Sequence, residues 1–147
     1  MSALKIEKFD QIGMVVKDIE KAADFYKKYF NFKGPINIVE QWSDVEYKGK
    51  EIRFKMKKIM QTINNIQFEV VELLESTGDH LYSEFLREGN EGLHHLGLYT
   101  KNAEKIITEF KNNYRIDVIQ TGKAGKVNFF YLNTKKLLGY YLELISF

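Results

Sequence analysis

The chain carries a partial copy of itself. Residues 11–30, QIGMVVKDIEKAADFYKKYF, align without a gap on residues 95–114, HLGLYTKNAEKIITEFKNNY. Gly13 meets Gly97, Lys17 meets Lys101, Glu20 meets Glu104, Lys21 meets Lys105 and Lys27 meets Lys111. Apolar positions correspond as well: Ile12 with Leu96, Met14 with Leu98, Tyr26 with Phe110. Such a duplication restricts the fold to two similar halves. Each copy reads as a short strand, an N-cap (Asp18 or Asn102) and an amphipathic helix. In the first helix Ile19, Ala22, Ala23, Tyr26 and Phe30 fall at helical spacing; in the second Ile106, Ile107, Phe110 and Tyr114 do.

The ends of the halves also correspond. VVELLES (70–76) aligns with YLELISF (141–147), placing Glu72 opposite Glu143. Between helix and last strand, the first half has strand-like stretches at 37–47 and 51–63, then a turn at Asn64-Asn65. The second half has them at 116–122 and 126–134, then a turn ending at Gly139. The expected fold is α+β: two β-α-β-β-β modules whose curled mixed sheets enclose a central cleft. Residues 1–147 read as a single domain, with module 1 at about 4–76 and module 2 at about 92–147. A linker helix at about 79–91 joins them, its apolar stripe formed by Leu81, Phe85 and Leu86.

Composition narrows the function. An apolar fraction of 44% and an aromatic fraction of 14% support a globular core. A net charge of +2, with lysines interspersed among glutamates, argues against a nucleic-acid partner. With no cysteine, a metal would have to be held by oxygen and nitrogen donors. MSALKIEKFD lacks the apolar core of a leader peptide, and no window approaches the roughly eighteen apolar residues a membrane span needs. A cytoplasmic protein without membrane or nucleic-acid partners is the expectation.

Strand alternation then places polar residues together. If Ile12, Met14 and Val16 pack under the helices, Gln11 faces the opposite side. The same parity turns His95 that way, together with Glu72 and Glu143 if Val71, Leu73, Leu142 and Leu144 enter the core. Two residues from each half, at matched positions, thus share one face. Carboxylates within apolar strand runs cost several kcal/mol if buried unpaired. Convergence of Gln11, Glu72, His95 and Glu143 on a divalent metal accounts for all four. His94, adjacent on the strand, should point away and serve a structural role. His80, in the linker, should be an exposed or capping histidine.

Four segments, FDQIGMVVKDIEKAADFY, VELLES, SEFLREGNEGLHHLGLYT and FYLNTKKLLGYYLELI, resemble the vicinal oxygen chelate superfamily of glyoxalases, epimerases, extradiol dioxygenases and resistance proteins. The resemblance is nearest to methylmalonyl-CoA epimerases and glyoxalase-I-like proteins. It implies metal ligands at Gln11, Glu72, His95 and Glu143, a ligand set suited to Zn, Ni, Co or Mn. It also implies isomerase or lyase chemistry: proton abstraction alpha to a carbonyl, an enediolate stabilised by the metal, and Glu143 or Glu72 as the base.

The pattern also departs from the family. The substrate anchors of glutathione-dependent glyoxalase I are replaced by Val15, Ser76 and Glu91. The epimerases' second carboxylate finds only lysines and Gln61 on the strand at 53–63, unless Glu46 or Glu51 substitutes. Lys55, Lys57 or Lys58 could instead meet an anionic substrate. The substrate expected is a small molecule, an acyl-CoA or 2-oxo compound. The alternative is a metal-free binding protein of the bleomycin-resistance type, its pocket lined by Trp42, Tyr47, Phe68, Phe130 and Tyr141. Edge strands left by two modules predict a homodimer, with a site formed either within one chain or across two.

Overall fold

The computed structural model describes residues 4–147, so the first three residues of the segment read for a leader lie outside it. The first half runs β1 (Gln11–Val15), α1 (Ile19–Tyr29), β2 (Val39–Tyr47), β3 (Lys50–Ile63) and β4 (Ile66–Ser76). The connecting helix α2 spans Leu81–Arg87. The second half runs β5 (Gly92–Thr100), α3 (Ala103–Tyr114), β6 (Val118–Ala124), β7 (Val127–Leu132), α4 (Lys135–Leu138) and β8 (Tyr141–Ser146). A bare turn was expected where the one-turn α4 lies.

The strands form one curled sheet in the order β1-β4-β3-β2-β6-β7-β8-β5, and β5 returns to pair with β1. Each half contributes the same internal order. The seams between halves are β1 with β5, and β2 with β6 over Val45–Tyr47. The β1–β5 seam is closed within the chain, whereas β2 is covered by β6 only over Val45–Tyr47, leaving residues 39–44 as the edge that the homodimer expectation called for.

Local chemistry explains the elements. The β3–β4 hairpin turns at Asn64 and Asn65, both with positive φ (50° and 63°), as a tight two-residue turn requires. Asp18 caps α1 by accepting from the Lys21 N–H at 3.1 Å. Asn102 makes no equivalent side-chain bond; its own N–H donates to Thr100 Oγ1 at 2.9 Å.

Two helices cover the outside of the sheet. Ile19, Ala23 and Tyr26 of α1 pack on Phe68 and Val70, while Ala103 and Ile106 of α3 pack on Leu132, Leu142 and Leu144. The helix α2 instead packs across the sheet interior, where Tyr82 and Phe85 meet Val15, Phe54, Met56 and Val71. Val71 and Leu73, expected beneath an outer helix, belong to this inner cluster.

Candidate metal centre

Register decides which side chains meet. On the inner face Gln11 of β1 lies opposite Gln67 of β4, and Gly13 lies opposite Glu69. In the second half His95 of β5 lies opposite Tyr141 of β8, and Gly97 lies opposite Glu143. Gln11 matches His95 in the repeat, so the true partner of Glu143 is Glu69, not Glu72. The strand β4 begins four residues before the VVELLES segment, directly after the Asn64-Asn65 turn. Three residues along a strand also reverse the face, because side chains alternate.

The structure brings Gln11, His95 and Glu143 together with Glu69. His95 Nε2 lies 3.0 Å from Gln11 Oε1 and 3.5 Å from both Glu69 Oε1 and Glu143 Oε1. All four side chains are buried. Glu72, expected as ligand or base, is displaced from this group, and Glu69 stands in the place expected for it. Glu72 faces α1, where its Oε1 accepts from the Ile19 N–H at 2.9 Å. There it stands with Asp18 and Glu20 in a group of carboxylates within 4.8 Å of one another. Those carboxylates already have partners: Asp18 caps Lys21, and Glu20 binds the Lys57 ammonium at 2.8 Å.

Two glycines make room for the cluster. A Cβ on Gly13 would overlap the His95 ring at Cε1, Nε2 and Nδ1. A Cβ on Gly97 would stand 3.2 Å from Gln11 and from Glu143 Oε1. The glycines shared by the two repeats thus let long polar side chains lie across the strand next to them.

Both histidines of the His94-His95 pair turn inward. Pairing of β1 with β5 slips between Gly13 and Met14: His95 faces Gly13, whereas Leu93 faces Met14. His94 is the extra residue of this bulge, and the bulge cancels the alternation that should have sent it outward. Its Nδ1 lies 2.8 Å from His95 Nδ1. His80, expected as an exposed or capping histidine, is the N-cap residue of α2, its backbone N–H donating to Ser83 Oγ at 2.9 Å, while its ring is buried rather than exposed, stacked on Phe54 with ring centroids 4.1 Å apart.

The ionisations divide sharply. Burial pushes the Glu143 carboxyl up to about 7, against the opposing pull of His95. Burial also disfavours a charged Glu69, but the His95 bond and the Lys58 charge outweigh it and hold that carboxyl below its usual range. His95 is raised: burial opposes its charge, and Glu143 and Glu69 overcome that opposition. His94 is held far down by burial and by its charged neighbour. A neutral His94 is therefore the acceptor of the His95 Nδ1–H, which keeps His95 Nε2 aimed at the carboxylates.

These residues fit a divalent ion. They supply two carboxylates, an amide oxygen and an imidazole nitrogen, the hard-to-borderline donors that Zn, Ni, Co and Mn accept. Glu143 Oε1 is buried without a hydrogen-bond partner. A cation supplies what that oxygen lacks. Behind Gln11, Gln67 Oε1 accepts from Gln11 Nε2 at 2.7 Å and from the Tyr99 hydroxyl at 3.1 Å, which fixes the amide oxygen toward His95.

The cluster forms part of the wall of a cavity of about 570 Å³ inside the sheet. Of the aromatics expected to line a pocket, Trp42 lines this cavity and Phe130 lines a neighbouring cleft of about 650 Å³. Tyr47 packs against α2, Phe68 lies beneath α1, Phe130 packs beneath α3 and Tyr141 lies against His94. Phe54, Tyr82, Tyr99, Phe129, Tyr131 and Phe147 line the cavity instead. Phe129 and Phe130 show the cause: neighbours on one strand face opposite ways.

Comparison with known proteins agrees with this architecture. The family model described as Glyoxalase/Bleomycin resistance protein/Dioxygenase superfamily matches residues 10–131. No curated protein matches the chain by sequence. A hypothetical protein from Bacillus halodurans C-125 has a similar structure (TM-score 0.66, 21% identity, covering 95% of this chain and 94% of that one). Methylmalonyl-CoA epimerase from Mycobacterium tuberculosis gives a TM-score of 0.64 at 12% identity, covering 94% and 86%. A Streptomyces coelicolor methylmalonyl-CoA epimerase variant in complex with 2-nitronate-propionyl-CoA gives 0.58 at 21% identity, covering 97% and 95%.

Proposed function

Because the chain belongs to the glyoxalase/bleomycin resistance protein/dioxygenase superfamily, we propose that it is a metal-dependent epimerase or isomerase that moves a proton on a carbon alpha to a carbonyl. The observation that carries this reading is the approach of Gln11, Glu69 and Glu143 to the buried Nε2 of His95, with an unpartnered carboxylate oxygen among them. These four would hold a Zn, Ni, Co or Mn ion. When bound, such an ion acts as a Lewis acid toward a carbonyl oxygen and favours the negative charge that develops there.

The chain's own residues do the rest. Glu143 takes the proton from the alpha carbon and returns it. A carboxylate held beside both the cation and the reacting carbon suits that exchange. Glu69 stays ionised beside Lys58 and His95. His94 holds the tautomer and direction of the His95 ring. The surrounding aromatic wall keeps bulk water from the reacting carbon. The cavity suits the carbonyl end of a 2-oxo compound or an acyl-CoA, with a bulkier part emerging at the mouth beside Trp42. Among the described residues no helix is long and apolar enough to cross a membrane.

The test is solvent deuterium uptake. Protein loaded with Zn, Ni, Co or Mn is incubated in heavy water with panels of 2-oxo aldehydes and acyl-CoA thioesters. Exchange at the alpha carbon that needs the metal and falls at least a thousandfold in Glu143→Gln supports the enzyme. A protein that takes up no metal yet binds aromatic ligands would establish the binding-module alternative instead.

A further inference from the structure

Lys58 stands on the inner face of β3 between Met56 and Met60, and all three line the cavity. The neighbouring lysines are turned outward and paired: Lys57 Nζ binds Glu20 at 2.8 Å, and Lys55 Nζ binds Glu40 at 2.9 Å. Strand alternation therefore selects one lysine of three to face the interior. Only 17% of its side chain is exposed, and its nearest carboxylate oxygen, Glu69 Oε2, is 3.9 Å away. That distance is a charge contact, too long for a hydrogen bond. The ammonium has no hydrogen-bonded side-chain partner among the described residues.

From this arrangement we infer that Lys58 is a specificity-determining residue that receives a carboxylate of the substrate beside its chelating oxygen. The inference rests on the metal reading above. Two carboxylates, Glu69 and Glu143, neutralise a divalent ion, and Gln11 and a neutral His95 add no charge. Lys58 then leaves one surplus positive charge in a walled cavity, where unbalanced charge is costly. A monoanionic ligand group cancels it. Asp44 and Lys123 also line the cavity with opposite charges that offset one another, while Val45, Phe129 and Ile145 add apolar surface. The fitting substrate class is a 2-oxo or 3-oxo carboxylate, or a hydroxy acid, with an apolar tail.

Glycolate and glycolamide test this. They present the same two vicinal oxygens and differ by one charge. Binding of each is measured calorimetrically to wild-type protein, Lys58→Met and Lys58→Arg, both cobalt-loaded and metal-free, with cobalt content read by its visible spectrum. The expected result is a preference for glycolate of tenfold or more in the wild type. Lys58→Arg keeps that preference and Lys58→Met loses it, each compared at full cobalt loading. Equal binding of the two ligands, or a preference that survives Lys58→Met, overturns the role of Lys58 even if cobalt binds fully. A wild type that rejects cobalt but still shows a Lys58-dependent preference overturns the metal reading and supports the anion subsite. Should Lys58→Met fail to fold, Lys58→Gln repeats the comparison, with Lys58→Arg as the folded control.

Discussion

Gly13 and Gly97 look like the least informative identities in the repeat, yet each one shapes the site. Neither has a positive φ, so backbone freedom is not why glycine stands there. The reason is space. A methyl group on Gly13 would overlap three atoms of the His95 ring, and that buried ring has nowhere to retreat. Gly13→Ala should therefore cost about 2–3 kcal/mol in urea denaturation, the usual scale of core overpacking, and should abolish cobalt uptake. Gly97→Ala meets the cluster only at 3.2 Å and should keep most of both. Equal behaviour of the two variants would contradict the packing described. Glu69 and Glu72 make a second contrast. Glu69→Gln should lower metal affinity a hundredfold or more, while Glu72→Gln should leave it unchanged; equilibrium dialysis with cobalt reads both. The sequence pointed to the wrong one of these glutamates because both sit in the same apolar run, and only the register with β1 tells them apart.

Elements were legible wherever a local signal was complete. The strand, cap and helix of each repeat follow from the pattern of apolar residues, and Asn64-Asn65 marks the hairpin turn. What could not be read from one strand alone was where its neighbour begins. Matching VVELLES with YLELISF by likeness, rather than by register with β1 and β5, shifted the apparent repeat partner of Glu143 by three positions. The bulge at His94 was equally hidden, because it exists only in the pairing of β5 with β1. Helix caps show the same limit. Asp18 and Asn102 occupy equivalent positions and have similar capping preferences, yet only Asp18 makes the bond. Asp18→Ala should cost about 1 kcal/mol, typical of a lost cap. Asn102→Ala should cost only a few tenths. Thermal or urea melts of the two variants measure the difference, and equal losses would mean that Asn102 caps in solution.

The whole molecule is held at a seam where the two halves meet around the connecting helix. His80 lies there, its ring stacked on Phe54 of the first half. The next residue, Leu81, donates its N–H to Gln120 Oε1 of the second half at 3.0 Å. Neither ring nitrogen of His80 has a hydrogen-bond partner, and burial lowers its pKa to about 4. In the unfolded chain a histidine titrates near 6.5. Above that pH both states hold a neutral ring, and His80 adds no pH dependence to folding. As pH falls from about 6.5 to 4, the unfolded state takes up a proton that the folded state resists, so stability falls. The loss approaches about 3 kcal/mol once the pH has passed the folded value. Glu143 works in the opposite direction. Its carboxyl, raised to about 7 in the fold, gains its proton before an unfolded glutamate does, which stabilises the metal-free protein as pH drops. Bare pH profiles thus mix opposing effects, His94 and Glu69 acting in the direction of His80 and His95 in that of Glu143, and a variant at His80 isolates its share. His80→Phe keeps a flat ring on Phe54 and removes the titration. Between pH 7 and pH 4, metal-free wild type should lose about 3 kcal/mol more than His80→Phe in urea denaturation. Parallel profiles would mean that the ring is protonated, or partnered by water, at the seam. The same acid step should loosen α2 from both halves together, because the helix packs on Phe54 and Met56 on one side and Tyr131 on the other.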